Sequence, residues 1–479
     1  MRDVLGKIML FQSLHFVIFL TALFLIYWCL PHKYRWGLLL LAGYWFYACL
    51  DYRYVFILFG ITLVTYCVVR VLDYEKFHKR RLILVLFIAF EIGVLVALKY
   101  LNFFTESINF ILGKLGRREL PIYELLIPVG ISFYLFRTMA YAIDVYRYKL
   151  RAEKHFGYFA LCIAFFPILL SGPIERMQDL LPQFKEKKQF VYENAGMALQ
   201  QMLLGYYKKL IIADSIAVYV DQIYLSPLNY KGFSVLLAVL LYSIEIYCDF
   251  SGYSDIAIGA AGLLGISLKP NFERPYFATS IKEFWRRWHI SLTSWFRDYV
   301  YIPLGGNRVA DWKKDRNVLV TFLLSGLWHG SGWTFVFWGA MHGFMQIVET
   351  HFKKKLFRKG FRVAGILKQL GVFVLVSIAW VFFRANNMAE AWNVLSHSVS
   401  GISSIISYFD IGELRSVYSL TQILFLIVFG LLLYLYELRE EKGQNKLMSI
   451  GATTLLFVLC LFYYMRYGTD QSAFIYFQF

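Results

Sequence analysis

The chain has 479 residues, 59% of them hydrophobic and only 17% charged, with a mean hydropathy of +0.53. Unbroken apolar runs of spanning length exclude a water-soluble domain, and because they do not alternate in polarity over about ten residues they exclude a membrane β-barrel. The net charge of +17 comes from basic clusters placed between the apolar runs, where they anchor to anionic headgroups, so nucleic acid is not an expected partner.

From the N-terminus, spans are expected at about 11–30, 36–50, 53–72, 82–100 and 122–145. Arg2 and Lys7 precede a first run that reaches Leu30 without a small-residue cleavage site, so that run is expected to stay as a span. Basic clusters at 32–35, 76–81 and 147–154 alternate with weakly charged linkers, which puts the N-terminus outside; Arg117 and Arg118 run against that topology. A run at 156–173 ends in the turn sequence Ser171-Gly172-Pro173.

The apolar stretches 198–222 and 232–268 follow, the second carrying Glu245, Asp249 and Asp255 among several glycines. Carboxylates at such depth must face protein or a water-filled cavity, and small residues allow the close helix approach this needs. Residues 271–316 are too polar to span and too aromatic for a simple loop, which predicts half-inserted or interfacial helices. Further spans are expected at about 318–346, 367–384, 419–437 and 447–465, before an aromatic tail, Phe474-Ile475-Tyr476-Phe477-Gln478-Phe479. The predicted fold class is an all-α polytopic membrane protein. It forms one integral membrane domain over 1–479: N-terminal spans (1–150), a core (151–350), C-terminal spans (351–470) and the tail (471–479). The six cysteines form no Cys-x-x-Cys pair, so neither a zinc ribbon nor a disulfide framework is implied.

An ionisable group in an apolar run is a site candidate by default. His329, in Leu327-Trp328-His329-Gly330, leads. A neutral buried imidazole can take a proton from an attacking hydroxyl and return it to a leaving group. The same ring could equally be a core histidine bonded to a backbone carbonyl, or a metal ligand. His342 lies thirteen residues on; on one continuous helix the two would be roughly 20 Å apart, so they share a site only if the helix breaks near Gly330, Gly332 or Gly339. His289 closes Phe284-Trp285-Arg286-Arg287-Trp288-His289. Arg286 and Arg287 there read either as headgroup anchors or as guanidinium groups lining a port for a phosphorylated cofactor. No His-x-x-x-His, glycine-rich phosphate loop or Gly-x-Ser-x-Gly element occurs, so metal, nucleotide and serine-hydrolase chemistry have no local support and no metal is expected.

Several segments carry a family resemblance: Asn271-Phe272-Glu273-Arg274-Pro275-Tyr276, Trp285-Arg286-Arg287-Trp288-His289, Tyr301-Ile302-Pro303-Leu304-Gly305-Gly306-Asn307-Arg308, Gly326-Leu327-Trp328-His329-Gly330 and Pro128-Val129-Gly130-Ile131-Ser132-Phe133-Tyr134. Together they resemble the membrane-bound O-acyltransferases, most closely the branch that O-acetylates bacterial polysaccharides such as alginate. The resemblance implies a multi-pass protein of the bacterial cytoplasmic (inner) membrane, with interfacial or re-entrant helices around a central tunnel. That tunnel would have a cytoplasmic donor entry and an outer acceptor entry. His329 would be the essential residue and His289 a second important histidine, with Asn307 and Trp328 as site neighbours that, with Arg286 and Arg287, could bind the donor. The tail resembles that of a small partner protein of teichoic acid D-alanylation, which implies an acyl relay on Tyr476; an aromatic interface anchor is the plainer reading.

The expected reaction is transfer of an acyl group, acetyl from acetyl-CoA or another cytoplasmic thioester, to an extracytoplasmic polysaccharide. It needs no tightly bound cofactor. The expected partners are membrane lipids and an esterase-like acyltransferase outside the membrane. D-alanyl transfer to teichoic acid is the alternative, and a secondary transporter built on Glu245, Asp249 and Asp255 is a distant third.

Overall fold

The computed structural model describes residues 9–74, 78–357, 365–404, 408–443, 457–458, 461–462 and 474–475. Their secondary structure is helical, without strands. Helices satisfy their own backbone polar groups, as hydrocarbon requires. Among the described residues, five helices are long and apolar enough to cross a membrane: Tyr52–Leu72, Arg80–Lys114, Phe233–Leu263, Gly365–Arg384 and Leu420–Glu441. The protein is therefore an all-α, multi-pass membrane protein, as expected.

Local sequence explains the boundaries. Ser13 caps Leu14–Cys29 by accepting from the Phe16 N–H, and the helix ends before Pro31, which cannot donate into a continuing ladder. The span expected at 122–145 begins as a helix only at Ile131, because Pro121 and Pro128 hold the preceding segment extended. Most of the span expected at 447–465 lies outside the described residues.

Two compact units divide the chain. The first comprises residues 1–202 and 257–269. Its buried Arg137 donates from its two terminal nitrogens to the carbonyls of Cys162, Ile163 and Ile168 at 2.8–3.0 Å, so much of the cost of a charge in an apolar interior is offset.

Residues 203–256 and 270–479 belong to the second unit. Its inner helix is the part of Phe233–Leu263 up to Ile256. The apolar window of this helix is 67% buried, against 17% for Leu420–Glu441, so the first carries the interior and the second turns most of its apolar surface outward. Two carboxylates on the inner helix meet cations on a π-helical turn, Tyr207–Ala213: Lys208 bonds Asp255 at 2.9 Å and Lys209 bonds Asp249 at 2.6 Å, while Lys209 also bonds Asp214, the first residue of the following helix, at 2.7 Å. The expectation that the carboxylates face protein is met for Asp249 and Asp255 by two adjacent lysines; Glu245 is buried as well, but neither lysine bonds it.

Residues 271–316 form short helices, Ile281–Arg287 and Ile290–Phe296, and a π turn, Arg297–Tyr301, none long enough to span. The run expected as one span at 318–346 is instead an antiparallel hairpin of Asp311–His329 and Trp333–Phe357. A Cβ at Gly326 would land on the Phe335 carbonyl, and one at Gly339 on the Phe322 carbonyl. The two backbones therefore touch, and only glycine fits at the crossing.

Candidate active site

The hairpin break brings together what one continuous helix would have kept apart. His289, His329 and His342 all lie in the second unit, buried to within 2% of complete. The rings of His289 and His329 are 6.2 Å apart, and Trp328 meets both, at 5.8 and 5.0 Å. On the other side, the indole of Trp338 lies 5.0 Å from His329 and 5.0 Å from His342. Phe383 completes the wall at 5.4 Å from His329. The result is an aromatic box around basic rings, low in dielectric and well suited to keeping water from a reactive acyl group.

Each outer histidine has a defined tautomer. The Trp285 indole N–H donates to His342 Nδ1 at 3.2 Å, so the His342 hydrogen sits on Nε2. His289 Nδ1 lies 3.2 Å from Asn271 Oδ1, which also accepts from the Ser291 N–H at 3.2 Å and the Ser291 hydroxyl at 2.9 Å. The Ser291 N–H can only donate, so that amide oxygen is an acceptor and His289 Nδ1 carries the hydrogen. The lone pair of His289 is therefore on Nε2. Burial pushes the His289 imidazole down to about 3, which keeps it neutral at ordinary pH.

His289 also has a strained backbone, with φ 42° and ψ 54° just before helix Ile290–Phe296. For a residue with a Cβ this costs of order 1 kcal/mol or more and persists only where the surroundings impose it. Here the backbone of the 271–273 segment imposes it: Ile290 donates to the Asn271 carbonyl and Glu273 to the Arg287 carbonyl, both at 2.9 Å.

A cavity of about 850 Å³ lies beside this box, with Lys282, Arg286, Arg297, Lys314 and Asn307 in its lining. Trp285, Phe322 and Ser325 line it too. Trp285 is the indole bonded to His342, and Ser325 sits one turn before His329 on the same helix. Cations and aromatic walls in one cavity suit a phosphorylated donor with an apolar arm.

Of the candidate donor contacts, Arg286 and Asn307 line this cavity, while Trp328 packs against both His289 and His329. Arg287 bonds Glu283 at 2.8 Å and Glu441 at 2.7 Å. Tyr476 lies outside the described residues. Sequence reasoning gave no role to Asn271, Trp285 or Trp338; the first two lie in motifs it singled out, but only the contacts show which side chain each one serves.

The family model for the membrane-bound O-acyltransferases matches residues 154–392, a segment that includes every histidine of the box. The chain is similar to the probable alginate O-acetylase AlgI of Azotobacter vinelandii, at 36% identity over 91% of this chain and 86% of the relative. It is similar to the peptidoglycan O-acetyltransferase of Helicobacter pylori, at 31% identity over 92% of this chain and 91% of the relative. A teichoic acid D-alanyltransferase of Streptococcus thermophilus is 28% identical over 59% of this chain.

Proposed function

Because the chain belongs to the membrane-bound O-acyltransferase family, we propose that it uses the His289–His329 box to move an acetyl group from a cytoplasmic thioester, acetyl-CoA, onto the hydroxyls of a polysaccharide outside the cytoplasmic membrane. The enzyme is a membrane-bound O-acetyltransferase. The relatives named for alginate and peptidoglycan support a polysaccharide as the final acceptor. One observation carries the reading: two buried imidazoles with ring centres 6.2 Å apart in an aromatic box, joined through His342 to Trp285, an indole that lines a cavity bearing several cations.

The thioester arrives with its acyl group already activated, so the protein has to position it and handle one proton. In the proposed step, a hydroxyl oxygen forms a C–O bond to the acyl carbon while the C–S bond breaks. His329 takes the hydroxyl proton and returns it to the departing thiolate. His289, its tautomer fixed by Asn271, presents the lone pair of Nε2 and steadies the positive charge that develops on the His329 imidazole beside it. Arg286 and Asn307 hold the donor's polar end at the cavity.

The first acceptor in this scheme is the phenol of Tyr476. Its acetyl ester then passes to a sugar hydroxyl with return of the phenol, through an esterase-like partner outside the membrane. A phenol with pKa near 10 is a better leaving group than a sugar alkoxide, so the relay runs downhill.

His329→Ala should abolish acetylation of the polymer, a loss of about 10²- to 10⁴-fold for a general base, at unchanged protein abundance. Full acetylation by that variant would remove His329 from the chemistry. Mass analysis of the transferred group separates acetyl from D-alanyl, which is heavier and carries an amine.

A further inference from the structure

The buried ion cluster of the second unit does more than balance charge. Lys209 stands between Asp214 and Asp249, at 2.7 and 2.6 Å, all three nearly inaccessible. A carboxylate oxygen that the lysine does not take can still accept from a further N–H donor, in a charge-assisted hydrogen bond. Such a donor comes from the far end of the chain. The backbone N–H of Ile475 donates to Asp249 Oδ2 at 2.9 Å, while Lys209 holds the other oxygen. Phe474, completely buried, stacks on Tyr253 with ring centres 4.5 Å apart and touches Phe250 at 5.6 Å. Phe250 in turn packs edge-on to His289 at 4.7 Å.

From these contacts we infer that Asp249 is the docking point of the C-terminal tail, a positioning residue that holds the tail one aromatic ring away from His289 so that the residue after Ile475 can receive the acyl group. The second half of this assignment rests on the tail relay proposed above; the docking itself does not. The hydrogen bond reads the main chain, so it fixes where the tail enters without constraining the side chain at 475. The rings of Phe250 and Tyr253 fix its depth through Phe474. Lys209 acts through Asp249 by holding its other carboxylate oxygen in place, and Asp214 in turn anchors Lys209.

The test places a benzophenone-bearing phenylalanine at position 474 of the full-length protein in lipid nanodiscs and measures its light-driven capture of the peptide containing Tyr253. Ile475→Pro deletes the amide hydrogen and leaves the Lys209–Asp214–Asp249 cluster untouched, so misfolding of that cluster is avoided. Removing a hydrogen bond to a charged group should lower capture by about tenfold or more, and kcat for acyl transfer should fall with it while KM for the thioester stays constant. The conservative Ile475→Val, which keeps the hydrogen and most of the buried side chain, should rescue both. Undiminished capture in Ile475→Pro overturns the docking assignment. Lost capture with unchanged kcat overturns the positioning role and leaves a structural hook. Acyl label on Tyr476 is followed separately by peptide mass. If wild-type protein never carries it, yet capture and kcat still depend on the Ile475 amide hydrogen, the relay fails and the docking of the tail stands.

Discussion

Asn271 shows how much a single side chain can settle at the residue scale. Its amide oxygen serves two donors on Ser291 and one on His289, so it fixes both the tautomer of the ring and the entry of helix Ile290–Phe296. Asn271→Leu is nearly isosteric and leaves those donors buried without an acceptor, a penalty of about 1–3 kcal/mol. The variant should unfold at a lower temperature in detergent. Its transfer rate should fall further than that loss of folded protein explains, because His289 is then free to flip. Equal losses in folded fraction and in rate would make Asn271 a structural residue only. In the sequence, Asn271 stood out only as the first letter of a motif. An amide that orients a histidine eighteen positions away has no periodicity to announce it, whereas His329 was legible because an imidazole in an apolar run is rare.

Hydropathy found the elements well and their reversals badly. It placed Tyr52–Leu72, Gly365–Arg384 and Leu420–Glu441 to within a few residues, since a long apolar stretch has few other ways to exist. The same signal read 318–346 as one span, where the chain turns back at Gly330-Ser331-Gly332. Apolar residues on both sides of a tight reversal look like one run, and the glycines that allow the turn also occur in straight membrane helices. The hairpin crossing gives the physical test. Gly326→Ala forces a methyl group into the Phe335 backbone and should destabilise by about 1–3 kcal/mol, with loss of transfer activity as the His329 helix is pushed off Trp338. Gly371→Ala is the control: nothing lies within 4 Å of its Cβ position, and in a helix interior alanine is favoured over glycine by roughly 1 kcal/mol. Comparing the thermal midpoints of the two variants checks the prediction, and a tolerated Gly326→Ala would refute the close crossing.

For the whole molecule, composition settled the solvent before any residue was considered, since 59% hydrophobic content with charge confined to short clusters leaves little besides a bilayer. What composition could not supply was pairing. Glu245, Asp249 and Asp255 were visible as buried acids, but that Lys208 and Lys209 meet Asp255 and Asp249 depends on a π turn that lets two neighbouring side chains reach one helix. The tail contact at Asp249 was equally hidden, because it joins positions 226 residues apart. The proposed catalysis nevertheless reduces to one event, proton removal by His329 as a thioester gives up its acyl group. That event is seen most directly in a single-turnover experiment, with purified protein in nanodiscs, labelled acetyl-CoA and thiol release as the signal. His329→Ala should bind the donor with the wild-type Kd and release thiol at least about 100-fold more slowly; release at the wild-type rate would contradict the mechanism.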